Sequence, residues 1–337
     1  MSTPGTRIPT PPAGSIRPEQ FLDLIAPKLL RVEAELRDHF NSPVRTIGEV
    51  GDHILDGGGK RLRPALLLLA SSMVEYEGDH DVILAAVVEM IHTATLVHDD
   101  IIDDAEVRRG KTSINYRWGN HLTVLVGDYL YVRALDTALE ARSIDVLKTL
   151  STATIRMTEG EILALELNGR PDLTRDEYFD VIERKTAALF GASCRLPGHL
   201  VQHPAGDLLF QYGSNLGICF QLIDDVLDYT SSTAVLGKPV LSDLREGKIT
   251  LPLILARPRA TDPERRIIDR VVAEKSLGST DPRDLVDIAN RYDAIDESRD
   301  IARDYADRAR AALDPFPDSP ARQALAAALD FVLSRER

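Results

Sequence analysis

Apolar residues recur mainly every three or four positions along this chain, the period of an amphipathic helix, and the alternation that marks a half-buried strand is missing. The periodic part opens at Phe21 with FLDLIAPKLLRVEAELRDHF. GDHILDGGGKRLRPALLLLASSMV then carries a Gly-rich loop into Pro64, a residue suited to the first turn of a helix. The pattern predicts a long helix from about Val82 to Asp104 and another over GNHLTVLVGDYLYVRALDTALEA. VLKTLSTATIRMTEGEILALEL, YFDVIERKTAALFGASCRLPG and DLLFQYGSNLGICFQLIDDVLDYT each predict one more. From about Pro263 to Arg337, shorter amphipathic segments are broken at Asp-Pro pairs. No strand, hairpin signal, internal linker or repeat is evident. A later polar, Gly-containing interruption, STAVLGKPVLSDLREGKIT, residues 232–250, is a candidate functional loop. The pattern therefore predicts a single all-α domain over residues 18–337.

Two segments put carboxylates where the apolar pattern would bury them. In HDDIIDDAEVRRG, Asp99 and Asp103 are four apart, and Asp100 lies three before Asp103. In QLIDDVLDY the same spacing recurs at Asp224, Asp225 and Asp228. Residues three and four apart share a helix face, so each motif points acids into one patch. An acidic pair on a helix is usually a solvated face, but both motifs follow apolar runs, TATLVH and LGICF. Unpaired carboxylates at a cavity wall would repel one another and take up protons. A hard divalent cation removes that conflict. Mg²⁺ binds through one or two carboxylates, completed by waters and phosphate oxygens.

Basic residues supply the complement. GGGKRLRP offers Gly59, Lys60, Arg61 and Arg63; VRRG offers Arg108 and Arg109; ERKT offers Lys185; the late loop offers Lys238 and Lys248. Each alone would be a surface charge, whereas together they point to a ligand with several phosphates. GGGKR lacks P-loop spacing, and no Ser–His–Asp or Cys–His set suggests itself.

Composition narrows the setting. The chain has 337 residues, 44% of them apolar and 5% aromatic, which is enough for a large core. Its net charge of −13 and the lack of a basic stripe argue against nucleic acid as a partner. Cys194 and Cys219 have neither metal-ligand nor framework spacing, so a reduced, cytoplasmic setting is expected. Residues 1–17, rich in Pro, Thr, Ser and Gly, read as a disordered tail without the apolar region of a secretion signal. No apolar run approaches the roughly 20 residues that span a bilayer.

From about residue 20 onward the chain resembles the trans-isoprenyl diphosphate synthases. DDIIDDAEVRRG and LGICFQLIDDVLD match that family's two aspartate-rich motifs, and GGKRLRP, the Lys185–Thr186 pair and the GK…D…GK loop fall in the right order. EMIHTATLVHDD is most similar to the long-chain branch, the octaprenyl, solanesyl and heptaprenyl synthases. The resemblance implies a helical bundle around a central cavity. It implies loss of diphosphate from an allylic substrate, attack by the double bond of isopentenyl diphosphate on the resulting cation, and proton loss to the released pyrophosphate. It further implies that Asp99, Asp103 and Asp224 coordinate Mg²⁺, with Asp100, Asp225 and Asp228 in support. About three Mg²⁺ ions would serve each active site, with Mn²⁺ able to substitute. Arg108, Lys185 and Lys238 would hold the allylic diphosphate, and Lys248 would also bind substrate. Gly59, Lys60, Arg63, His92 and Arg109 would hold isopentenyl diphosphate, and Thr186 and Gln221 would line the cation. A homodimer with transient peripheral membrane contact is expected. Alternatives are a shorter-chain synthase, a class I terpene cyclase on the same fold, or a non-catalytic partner subunit. One departure from the family pattern is Leu241, where the late loop usually has glycine, a residue that takes positive φ more readily.

The growing tail should run along the first motif's helix. Thr95, Ala94, Ile91 and Val87 trace one stripe before Asp99 at about 100° per residue. Short-chain relatives carry an aromatic floor four or five positions before the motif. Here those positions hold the small Thr95 and Ala94, so a product of about C30–C50 is expected, with Tyr129, Leu130 and Tyr131 as candidate floors.

Overall fold

The computed structural model describes residues 20–108, 110–230 and 240–335. The tail expected over residues 1–17 lies outside them. In chain order the helices are α1 (Ala26–Asp38), α2 (Arg45–Asp56), α3 (Leu62–Met73) and α4 (His80–Ile102). A short antiparallel pair, β1 (Val107–Arg108) and β2 (Lys111–Thr112), comes next. It is followed by α5 (Ile114–Trp118), α6 (Asn120–Ala138), α7 (Ile144–Leu167), α8 (Arg175–Ile182), α9 (Ala188–Leu200) and α10 (Gly206–Thr230). The later helices are α11 (Ser242–Arg245), α12 (Leu251–Ala256), α13 (Asp262–Glu274), α14 (Pro282–Arg291), α15 (Ala294–Ala312) and α16 (Pro320–Leu333). Local chemistry sets many of the boundaries. Thr174 and Thr261 open α8 and α13 with capping boxes to Glu177 and Glu264, and proline stands in the first turn of α1, α12, α13, α14 and α16.

The bundle is built around α4 and α10. α10 packs on α9 and α15, α4 on α6 and α3, and α7 on α9. Leu66 to Leu69, Leu84, Ile91, Phe190 and Tyr212 are fully buried among these helices, and the Tyr212 hydroxyl donates to the Leu325 carbonyl at 2.8 Å. The all-α prediction stands, with four differences of detail. The two-residue β1–β2 pair is too short to leave a periodic signal, and Gly110 next to it has φ +74°. The YFDVIERKTAALFG segment is not one α-helix: Glu183–Ala187 widens into a π turn between α8 and α9. Among the described residues α4 is long and apolar enough to cross a membrane, although Glu89 and His92 interrupt its apolar runs; two thirds (67%) of its most apolar stretch is buried inside the bundle. Finally, Leu241 adopts the left-handed conformation at φ 55° with its side chain fully buried. The strain of about 1–2 kcal/mol is offset by about 1.5–3 kcal/mol from burying leucine, so the departure from glycine keeps the backbone geometry.

Candidate active site

α4 and α10 enclose a cleft of about 390 Å³ with α7, the π turn and the start of α3. α4 contributes His92, Thr95 and Asp99, which fall three or four apart and so share one face. α10 contributes Phe220, Gln221 and Asp224. α7 adds Met157, Thr158 and Glu161, the π turn adds Lys185 and Thr186, and α3 adds Arg63. Burial pushes the Asp99 carboxyl up to about 6; Lys185 opposes the shift and the neighbouring Glu161 and Asp103 add to it. Lys185 is ion-paired with Glu161. Its position depends on close packing: a Cβ on Gly160 would stand 2.6 Å from the Lys185 backbone nitrogen. Thr186 donates to Gln221 Oε1 at 2.9 Å, and Gln221 Nε2 donates to Asp225 Oδ1 at 2.7 Å. The Tyr178 hydroxyl completes this chain, donating to Asp225 Oδ2 at 2.6 Å.

The remaining predicted residues divide into groups. Asp103 receives Lys248 Nζ at 2.8 Å, which ties the late loop to the first motif. Burial alone would lower Lys248, but Asp103 and Glu246 raise it above the ordinary lysine range. Lys60 lies over the Phe331 ring, and burial followed by Arg335 lowers it. The Arg63 guanidinium sits 4.2 Å from the centre of the Phe190 ring, and Gly59 is exposed on the same loop. Three carboxylates expected to support the metal are turned elsewhere. Asp100 is buried and ion-paired with Arg108. Asp225 is buried and faces an adjoining cavity with Asp243 and Lys248, and burial pushes its carboxyl well up. Asp228 is buried and accepts from the backbone of Ser242 and Asp243. Adjacent aspartates lie about 100° apart on a helix, so Asp99 and Asp224 facing the cleft turn Asp100 and Asp225 away, whereas Asp228, four residues from Asp224, is engaged by the amino end of α11. Arg109 and Lys238 lie outside the described residues.

A family model described as polyprenyl synthetase matches residues 44–288. The chain belongs to the polyprenyl synthetase family. The octaprenyl diphosphate synthase of Escherichia coli (strain K12) is 40% identical over 95% of this chain and 99% of its own length. A polyprenyl synthase from Caulobacter crescentus CB15, crystallised with calcium and isoprenyl diphosphate, superposes with a TM-score of 0.91 at 38% identity, over 97% of this chain and 100% of that one. A decaprenyl diphosphate synthase from Rhodobacter capsulatus gives 0.90 at 38% identity, over 95% and 99%. This synthetase is a prenyltransferase.

Among the described residues of the synthetase, no three carboxylates, imidazoles or thiols converge into a ready-made metal cage. Two carboxylates on facing walls, with open space between them, nevertheless fit Mg²⁺, which fills its remaining positions with waters and phosphate oxygens. A second cavity of about 400 Å³ adjoins the cleft through Thr95, His98 and Thr158. Ile91 and Ala94 line it, together with Tyr131 from α6 and Ile155 and Ile162 from α7. Val87 is fully buried and is not among its lining residues. Of the candidate floors Tyr131 reaches it, while the Tyr129 hydroxyl donates to the His39 carbonyl and Leu130 is buried. Sequence reading missed Glu161, Tyr178 and Arg335, whose guanidinium donates to Asp224 at 3.3 Å. Glu161 carried the same signal as the aspartates, an acid within an apolar helical run; Tyr178 and Arg335 are brought in by distant contacts.

Proposed function

We propose that this polyprenyl synthetase condenses isopentenyl diphosphate with an allylic diphosphate, such as farnesyl or geranylgeranyl diphosphate, and repeats the step to a long all-trans product. The observation that carries the reading is the convergence of Asp99 and Asp224, from distant parts of the chain, on one cleft that also holds Lys185, Thr186 and Gln221. Asp99 and Asp224 would hold the metal, with Asp103, which accepts from Lys248, beside them. Mg²⁺ bound there supplies positive charge against the diphosphate oxygens as the leaving group departs. Lys185 and Lys248 bind those oxygens, and Arg108, Arg109 and Lys238 are assigned to diphosphates by the motif match. Lys60, Arg63, His92 and Gly59 hold isopentenyl diphosphate at the α3 side. The Thr186 hydroxyl and the Gln221 carboxamide present oxygen dipoles to the allylic cation. Asp100, Asp225 and Asp228 position these groups through Arg108, Gln221 and α11.

The tail occupies the cavity beside Ala94 and Thr95, whose small side chains stand where short-chain relatives carry an aromatic floor, so the product falls in the long-chain class. We also read the enzyme as a homodimer in a reduced, cytoplasmic setting. Val132, Leu125 and Leu139 form an exposed apolar line along α6 and its end, and Ile144, Ile155 and Ile162 form another along α7. Both cysteines are free and buried. The decisive assay gives purified protein farnesyl and isopentenyl diphosphates with Mg²⁺ and separates the products by chain length. Long-chain product that vanishes in excess chelator is expected. Consumption of farnesyl diphosphate alone, or elongation undiminished by chelator, overturns the reading.

A further inference from the structure

On the other side of α7 from the cleft, a separate cavity of about 340 Å³ opens between α7, α9 and the start of α10. Its floor is small and apolar: Ala153 from α7, and Ala188 and Ala192 from α9, with Phe210 at one end. Its walls are cationic. Lys148 and Arg156 come from α7 and Arg195 from α9, against the single lining carboxylate of Asp145. In a chain of net charge −13, such a concentration of cations is against the general trend. Many arginines here are neutralised by an adjacent acid, as in Arg31–Asp79, Arg45–Glu49 and Arg257–Asp269. Among the described residues neither Lys148 nor Arg156 has such a partner. Arg195 is paired with Asp207 at 2.6 Å, outside the lining, and lies over the Phe210 ring.

The groove therefore pairs fixed positive charge with an apolar floor, and Thr149 and Thr152 add hydroxyl donors. His199 meets the Thr149 hydroxyl at 2.9 Å. An inorganic anion would leave the alanine floor unused, and a hydrocarbon alone would leave the cations unused. We propose that this groove is a second binding site for a short isoprenyl diphosphate, the diphosphate between Lys148, Arg156 and Arg195 and the hydrocarbon over Ala153, Ala188 and Ala192. Its volume is at the lower end of the roughly 300–1,000 Å³ range of small-molecule pockets, which suits a short chain rather than the long product. The site is distinct from the cleft: α7 turns Met157 and Glu161 to one cavity and Thr152 and Arg156 to the other. It does not rest on the roles proposed for the cleft residues.

The test is calorimetric titration of the full chain with geranyl thiolodiphosphate, an unreactive analogue, with Mg²⁺ present and isopentenyl diphosphate omitted. The double variant Lys148→Gln/Arg156→Gln should bind one equivalent fewer per chain than the parent, while its turnover at low substrate stays within about twofold and its circular dichroism is unchanged. Inorganic pyrophosphate should compete for that equivalent at least about tenfold more weakly, because it cannot use the apolar floor. Asp224→Asn reads the cleft separately: it should lose the metal-dependent equivalent and keep the groove's. Equal stoichiometry in the parent and the double variant overturns the site, and equal affinity for pyrophosphate and the analogue overturns the ligand class.

Discussion

Asp224 and Asp228 belong to one motif, but the structure gives them different surroundings, and Asp228→Asn and Asp228→Ala measured beside Asp224→Asn test that division. Asp228 is 1% exposed. Its Oδ1 accepts from the Ser242 backbone at 3.1 Å and from the Ser242 hydroxyl at 3.0 Å, and its Oδ2 accepts from the Asp243 backbone at 3.2 Å. These donors sit at the amino end of α11, where backbone N–H groups have no acceptor within the helix. Alanine removes the acceptor for all three, a local cost of roughly 3 kcal/mol, which at 1.4 kcal/mol per decade is about a hundredfold. Asparagine keeps Oδ1 but sets an amide donor against the Asp243 N–H, costing roughly 1.5 kcal/mol, or about tenfold. Hydrogen exchange of the Ser242 and Asp243 amides should accelerate by those factors. In product-chromatography assays, Asp228→Asn should keep turnover within about tenfold of the parent at an unchanged Mg²⁺ requirement, whereas Asp224→Asn should lose about a hundredfold or more. If Asp228→Asn leaves exchange unaltered and shifts the Mg²⁺ midpoint as Asp224→Asn does, Asp228 binds metal and the division is wrong.

Three further outcomes are expected. Ala94→Phe, at a position about 7.5 Å along α4 from Asp99, should shorten the product to about C15–C20 with turnover preserved; an unchanged product ladder places the tail elsewhere. Gly160→Ala puts a methyl group within 2.6 Å of the Lys185 backbone nitrogen and must displace the π turn, so kcat should fall at least about tenfold while the circular dichroism holds; parental kinetics would show that Lys185 tolerates displacement. Glu264, held down to about 2 by its hydrogen bonds from Thr261 and Tyr292, contributes stability that is present above its ordinary value of 4.5 and lost as pH falls through about 2. Glu264→Gln should therefore lower Tm at pH 7 and converge with the parent near pH 2; a constant Tm difference across that range would contradict the linkage.

The helices and the two acidic motifs were legible from residue spacing, because an amphipathic period and a carboxylate within an apolar run are local signals. Asp99, Asp224, Lys185, Thr186, Gln221, His92 and Arg63 all line one cleft, as the motif match implied. What the sequence left open was orientation. Adjacent aspartates look alike in a string, and the helical rotation that sends Asp99 to the cleft and Asp100 to Arg108 is resolved by which face packs on the bundle. The π turn packs closely on α7 at Gly160, a contact between segments that share no local pattern. Tyr178 and Arg335 likewise reach the site by tertiary contact alone. Spacing along the chain thus determined the chemistry this protein carries, and packing between distant helices decided which of its carboxylates remain open to a metal, since only burial against a neighbour turns a helix face inward.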